Sequence, residues 1–326
     1  MNRIFAALVL AGAALAAATT QNASAQTPQD YPTRAIKIVV AFAAGGGNDL
    51  LARIVGQELS LALKQPVIIE NRPGAGTQIG ASEVAHAAPD GYTLLVSSAT
   101  TFSLNPTLYK KLPYDPVKDF ALVSLLGRFD LILVTTPSFP ARTLPELVAL
   151  AKEKPGTIQF ASAGVASPHQ LAMELLAYQT GIKMVHVPYK GAGPAVQDVI
   201  GGHVPIMMLD VATARQPINA GLLKAIAVSA PVTEFPDLPT FEQLGLKGFE
   251  PPTWIGLAAP AGTPAPIVER LNRIIVAYLK RPEVEDRLQA IAIPPVTSTP
   301  AELEKFIGTE IVKWAQVVKD AGIEPQ

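Results

Sequence analysis

The stretch IKIVVAFAAGGGNDLLARIVGQEL, residues 36–59, decides the fold. Residues 36–42 form a run of strand length that is apolar apart from Lys37, the pattern of a buried strand. Residues 43–47 are a flexible glycine loop, and Asn48 or Asp49 is placed to cap the helix that follows. In that helix Leu51, Val55 and Leu59 share one face with Ile54 beside them, so it should pack against a sheet. Strand, glycine loop and amphipathic helix make one βα unit, and the alternation continues with strands expected at 67–70 and 93–97. This is the pattern of βαβ units on a parallel sheet.

A second series begins with a strand at 131–135, after which Thr143-Leu144-Pro145-Glu146 has capping-box spacing. Residues 158–160 read as a strand, and Ser167 with Pro168 fits the N-cap and first position of a helix. Further strands are expected at 184–187, 204–209 and 223–229, with a glycine loop and short helix inside 190–200. Residues 254–259 form a last strand that leads into helices begun near 264–266 and at Thr299-Pro300-Ala301-Glu302, a second capping box. The C-terminal part has helices but little sheet of its own, so it is expected to pack back on the first lobe. That implies chain crossings near 121–129 and 251–257, a hinge, and a cleft at the strand ends. The expected architecture is α/β, with residues 26–126 and 254–326 in one lobe and 127–253 in the other.

Composition narrows the class. Arg3, the apolar run 4–18 and Ala23-Ser24-Ala25 match a cleavable export signal over residues 1–25, a run too short to span a bilayer. The chain has 26 basic and 27 acidic residues; loss of Arg3 with the signal leaves 25 against 27, a net charge of −2. The basic residues are dispersed, with no footprint for nucleic acid or an anionic membrane. There is no cysteine, which excludes disulfides, thiolate nucleophiles and Cys-ligated metals. His86, His169, His186 and His203 lack metal-ligand spacing, so neither a metal nor a cofactor is expected.

The candidate site residues lie in the loops that follow strands. Phe42, Ala43, Ala44, Gly46 and Gly47 precede a helix N-terminus, where unpaired NH groups and the helix dipole favour an anion. A glycine-rich turn of this kind is more often only a tight turn without a ligand. Asp49 would orient this loop as a cap but would repel a carboxylate as a contact. Ser162, Ala163, Gly164 and Ser167 form the matching loop of the second series, while Ser97, Ser98, Thr100 and Thr101 could bond a ligand's distal end. Arg72 could pair with a carboxylate or brace its loop, His169 could line the cleft, and Asp210 could face the ligand or hold a loop. Ser167 with His169 invites a hydrolase reading, but their spacing does not bring hydroxyl and imidazole together, and no Gly-x-Ser-x-Gly elbow occurs. Gly74, Gly76 and Gly80 miss the dinucleotide spacing by one residue.

Several segments carry a resemblance across nearly the whole mature chain. They are Tyr31-Pro32, Gly45-Gly46-Gly47-Asn48-Asp49-Leu50-Leu51-Ala52-Arg53, Glu70-Asn71-Arg72-Pro73-Gly74-Ala75-Gly76, Val187-Pro188-Tyr189-Lys190-Gly191 and Gly201-Gly202-His203-Val204. In this order they resemble the Bug-type receptors of tripartite tricarboxylate transporters. The resemblance implies a periplasmic type II binding protein, its two α/β lobes joined by two hinge crossings; the chain itself is expected to be a monomer. It also implies a small organic carboxylate, a dicarboxylate or an aromatic acid, gripped by one loop from each lobe and delivered to a membrane permease. This chain departs from the family pattern in Ala41-Phe42-Ala43-Ala44, in Thr77, and in the placing of His169, which bears on pocket shape. A ligand sensor docking on a signalling partner would share the same fold, and an exported hydrolase is the remaining alternative.

Overall fold

The computed structural model describes residues 31–326 except 166, 250, 252, 321, 322 and 326, so the export-signal expectation lies outside the described residues. Within the unit Pro32–Gln326 the strands form two five-stranded sheets. The first holds β1 (Ile36–Val40), β2 (Val67–Asn71), β3 (Thr93–Ser98), β4 (Phe120–Arg128) and β10 (Trp254–Pro260), ordered β2-β1-β3-β10-β4. The second holds β5 (Leu131–Thr135), β6 (Gln159–Ser162), β7 (Val185–Pro188), β8 (Ile206–Asp210) and β9 (Lys224–Val228), ordered β7-β6-β8-β5-β9. The chain passes between sheets at Phe129 and Asp130, and again between Val228 and Trp254.

Both sheets are mixed, which corrects the expectation of parallel sheets. β1 pairs parallel with β2 and β3, and β6 pairs parallel with β7 and β8. β10 instead runs antiparallel to both β3 and β4, and β5 antiparallel to β8 and β9. The hinge is the cause. The chain leaves the first lobe at the end of β4 and returns at the start of β10, so Trp254 pairs with Arg128 and the two strands must oppose each other. Most of the expected crossing at 121–129 is therefore β4 itself. Helices α8 (Ala265–Leu279) and α10 (Pro300–Asp320) pack on it, so it is buried almost throughout and shows no alternation.

Helix α1 (Gly47–Leu63) buries Leu51, Ile54, Val55 and Leu59, the predicted face. Its N-cap is Gly46, with no side-chain bond, so neither Asn48 nor Asp49 caps it. The capping box of α4 (Leu144–Glu153) forms between Thr143 and Glu146, and that of α10 between Thr299 and Glu302. Helix α5 (Pro168–Thr180) is capped by Ser167, whose hydroxyl accepts from Gln170 N at 3.3 Å. The remaining helices are α2 (Gln78–Ala85), α3 (Asn105–Leu108) after a π-helical turn at Thr100–Leu104, α6 (Ala192–Ile200), α7 (Val211–Asn219) and α9 (Pro282–Gln289). In the first lobe the core centres on Phe102, stacked on Trp254 at 5.8 Å, with Phe120 against its edge. In the second it runs through Ile132, Val134, Met207, Leu209 and Val228.

Candidate functional site

β1 and β3 end at the same gap as β6 and β8, and two adjoining cavities occupy that gap. They measure about 580 and 220 Å³ and share Phe42, Ala43, Ala163 and Gly191 as a common wall. The first two come from the loop after β1, the others from loops after β6 and β7. The lobes are in near contact here: a Cβ added at Gly191 would lie 3.3 Å from Ala43 Cβ, and one at Gly76 would lie 3.2 Å from Val165 O.

Five helices start on this gap. Their N-cap residues are Gly46, Thr77, Ser167, Gly191 and Asp210, for α1, α2, α5, α6 and α7, and each lines one or both cavities. Helix N-termini present unpaired NH groups and a partial positive charge, so five together favour an anion without any arginine at the wall.

The glycine loop is held by groups behind it. Asp49 accepts from Gly45 N at 3.0 Å, from Arg53 Nε at 3.0 Å and from Asn71 Nδ2 at 3.0 Å, and Asn71 Nδ2 also donates to Phe42 O. Burial pushes the Asp49 carboxyl up, but the bonds from Arg53, Gly45 and Asn71 outweigh it and hold the group below its ordinary value. Asp49 is thus an ionised brace that lines neither cavity. The opposing loop has its own brace: Ser162 Oγ bonds both Gly164 N and Gly164 O and reaches His186 Nε2 at 2.6 Å.

The remaining candidates divide by position. Phe42 and Ala43 line both cavities; Ala44, Gly46, Gly47, His169 and Asp210 line the smaller; Thr100, Gly164 and Ser167 line the larger; Ala163 lines both. His169 Nε2 lies 3.4 Å from Asp210 Oδ1, and its ring stacks on Phe129 at the crossing. Ser97, Ser98, Thr101 and Ser162 line neither cavity, because they bond to neighbours inside the protein. Ser97 pairs with Thr101, and Ser98 with Thr100. Arg72 is also outside, paired with Glu70 and with Glu83 at 3.3 Å.

Reading the residues left out much of the wall, including two segments, Pro73 to Thr77 and Pro188 to Gly193, and the side chains of Ile79, Tyr109, Phe129, Val165 and Thr213. A signal was available: Arg72-Pro73-Gly74-Ala75-Gly76 and Pro188-Tyr189-Lys190-Gly191 are two of the segments that carry the resemblance.

Residues 51–323 match the family described as tripartite tricarboxylate transporter family receptor. The chain belongs to that family. Among curated relatives, protein BugT of Bordetella pertussis is 37% identical over 308 residues, 94% of each chain. Among solved structures, R. palustris Rpa4515 with adipate has a TM-score of 0.87 at 32% identity, covering 91% of this chain and all of that one. MatC from Rhodopseudomonas palustris with bound malate has a TM-score of 0.82 at 35% identity, covering 88% of this chain and all of that one. As a receptor of this family the chain has the two-lobed α/β fold of periplasmic binding proteins, and the family is one of solute binders. Among the described residues no helix is long and apolar enough to cross a membrane, and no cluster of ligating side chains could hold a metal ion.

Proposed function

We propose that the chain is an exported, periplasmic receptor that closes two lobes over a small organic carboxylate and delivers it to the membrane subunits of a tripartite tricarboxylate-type permease. The supporting observation is the convergence of five helix N-termini on one interlobe gap, with a glycine loop from each lobe facing the other. Glycine admits the ligand to the backbone, and donors aimed before the ligand arrives need no reorganisation to grip it. Adipate in one relative and malate in another are acids of this class. Because each lobe supplies part of the grip, the ligand binds the closed form better and shifts the population toward it.

Binding without catalysis is the reading that fits the side chains. Ser167 caps its own helix, and His169 faces Asp210 in the other cavity, so hydroxyl and imidazole are not a nucleophile and its base.

A thermal-shift screen of the mature chain tests the proposal. At a hundred times its Kd the right acid adds about 2.7 kcal/mol, a rise of roughly 4–5 °C for a protein of this size. Silence from every organic acid, together with a response to a neutral or cationic solute, would overturn it.

A further inference from the structure

The chain crosses between the lobes twice, and a third link joins them without a peptide connection. It is the segment 290–294, which follows α9. Its far end is fastened to the first lobe: Pro294 O accepts from Arg128 N at 3.1 Å, and just beyond it Val296 N donates to Leu126 O at 3.4 Å. Ile293 is fully buried, and a Cβ added at Gly47, the first residue of α1, would lie 3.7 Å from its Cδ1. The near end turns to the second lobe instead. Ala292 is buried and joins the hydrophobic cluster of that lobe, together with Val211 and Ala214 of α7. Ala290 O accepts from Nη1 of Arg215, also on α7, at 2.9 Å.

The link is held from both sides. Glu234 Oε1, buried and without a hydrogen-bond partner, lies 4.0 Å from the same Arg215 nitrogen, so a carboxylate stands behind the guanidinium. Ala292 has a φ of +55°, a left-handed conformation that alanine avoids and that persists only where the surroundings fix it. Helix α7 is itself tied to the crossing, because Val211 N donates to Asp130 O at 2.9 Å, and its N-cap Asp210 lines the smaller cavity. Neither Arg215 nor any residue of 290–294 lines either cavity, so their effect on a ligand must pass through the angle between the lobes.

We propose that the segment 290–294 is a third hinge element, a noncovalent strap that limits how far the lobes swing apart, and that Arg215 is the positioning residue that fastens it. This goes beyond the carboxylate reading and holds for any ligand that the cleft takes. A strap of this kind keeps the closed form populated before a ligand arrives, and apparent affinity rises with the populated fraction.

The chain has no cysteine of its own, so spin labels at Leu61→Cys on α1 and Tyr178→Cys on α5, both exposed positions, report the distance between the lobes. Pulsed electron resonance on the ligand-free mature chain should show Arg215→Ala raising the more open population by about fivefold, the effect of one hydrogen bond. Arg215→Lys, which keeps the charge and a donor, should recover part of that change. Glu234→Gln, which removes the charge behind the guanidinium, should shift the distances in the same direction, and it serves in place of Arg215→Ala should that variant not fold. A role confined to stability would lower the melting temperature and leave the distances alone. Distances that neither Arg215→Ala nor Glu234→Gln moves overturn the proposal.

Discussion

Ser167 combines two tasks in one hydroxyl: it closes the first turn of α5 and stands at the wall of the larger cavity. Loss of an N-cap serine costs about 1 kcal/mol, and loss of a donor at the ligand weakens the grip. We expect Ser167→Ala to remain folded, to melt slightly lower, and to bind its organic acid several-fold more weakly. Calorimetry showing unchanged affinity would remove Ser167 from the site. This residue was legible because capping chemistry is local: a serine followed by proline suits the N-cap and first position of a helix. Ser97, Ser98 and Ser162 were not legible in the same way. A hydroxyl at a strand end can face a cleft or a neighbouring side chain, and that choice depends on what tertiary structure brings beside it. For Ser97 the neighbour is Thr101, and for Ser162 it is His186. Arg72 was equally open, because it is the fold that sets Glu70 and Glu83 on its guanidinium.

At the level of elements, the second-lobe loop is tied to the edge strand β7 through His186, which stacks on Phe160 of β6 at 5.1 Å and bonds Ser162. Burial holds this imidazole down to about 4, whereas an unfolded histidine takes up its proton near 6.5. As pH falls through that window the unfolded chain binds a proton that the folded one refuses. The stability that His186 contributes is therefore complete above about 6.5 and declines toward 4. Denaturant titrations should show the wild type losing roughly 1–2 kcal/mol from this ring between pH 7 and 5, its partial exposure softening the effect. His186→Phe, which keeps the stacking and cannot titrate, should lose correspondingly less; an identical decline in both would refute the assignment. The βα units were readable from periodicity, and both capping boxes from four-residue motifs. Strand direction was not readable, because an antiparallel insertion and a parallel strand have the same apolar run when both faces are covered. β4 shows this: FALVSLLGR lies under α8 and α10, so nothing in it alternates, and its place beside β10 is set by pairing across more than a hundred residues.

For the molecule as a whole, Gly191 is one point at which the lobes are in near contact. Its φ of +119° is a conformation that side-chain-bearing residues avoid, and a Cβ there would press on Ala43 from the opposite lobe. Gly191→Val should therefore strain its own loop and wedge the gap, at a cost of about 1–3 kcal/mol, or roughly tenfold or more in ligand affinity. Small-angle scattering should show the wild type contracting when it binds an organic acid and the variant staying expanded; equal contraction would place the closing contact elsewhere. The two-lobed plan was legible from length and from the doubled series of βα units, but the near contact of the lobes was not, since it joins Ala43 to a glycine almost 150 positions away. One further result follows from β10 lying between β3 and β4. The second sheet is drawn from one continuous run of chain, so on a ribosome it can assemble as soon as that run emerges. The first sheet cannot. Until Trp254–Pro260 arrives, β3 is an open edge and β4 has no neighbour, so the half of the protein that begins first is the half that finishes last.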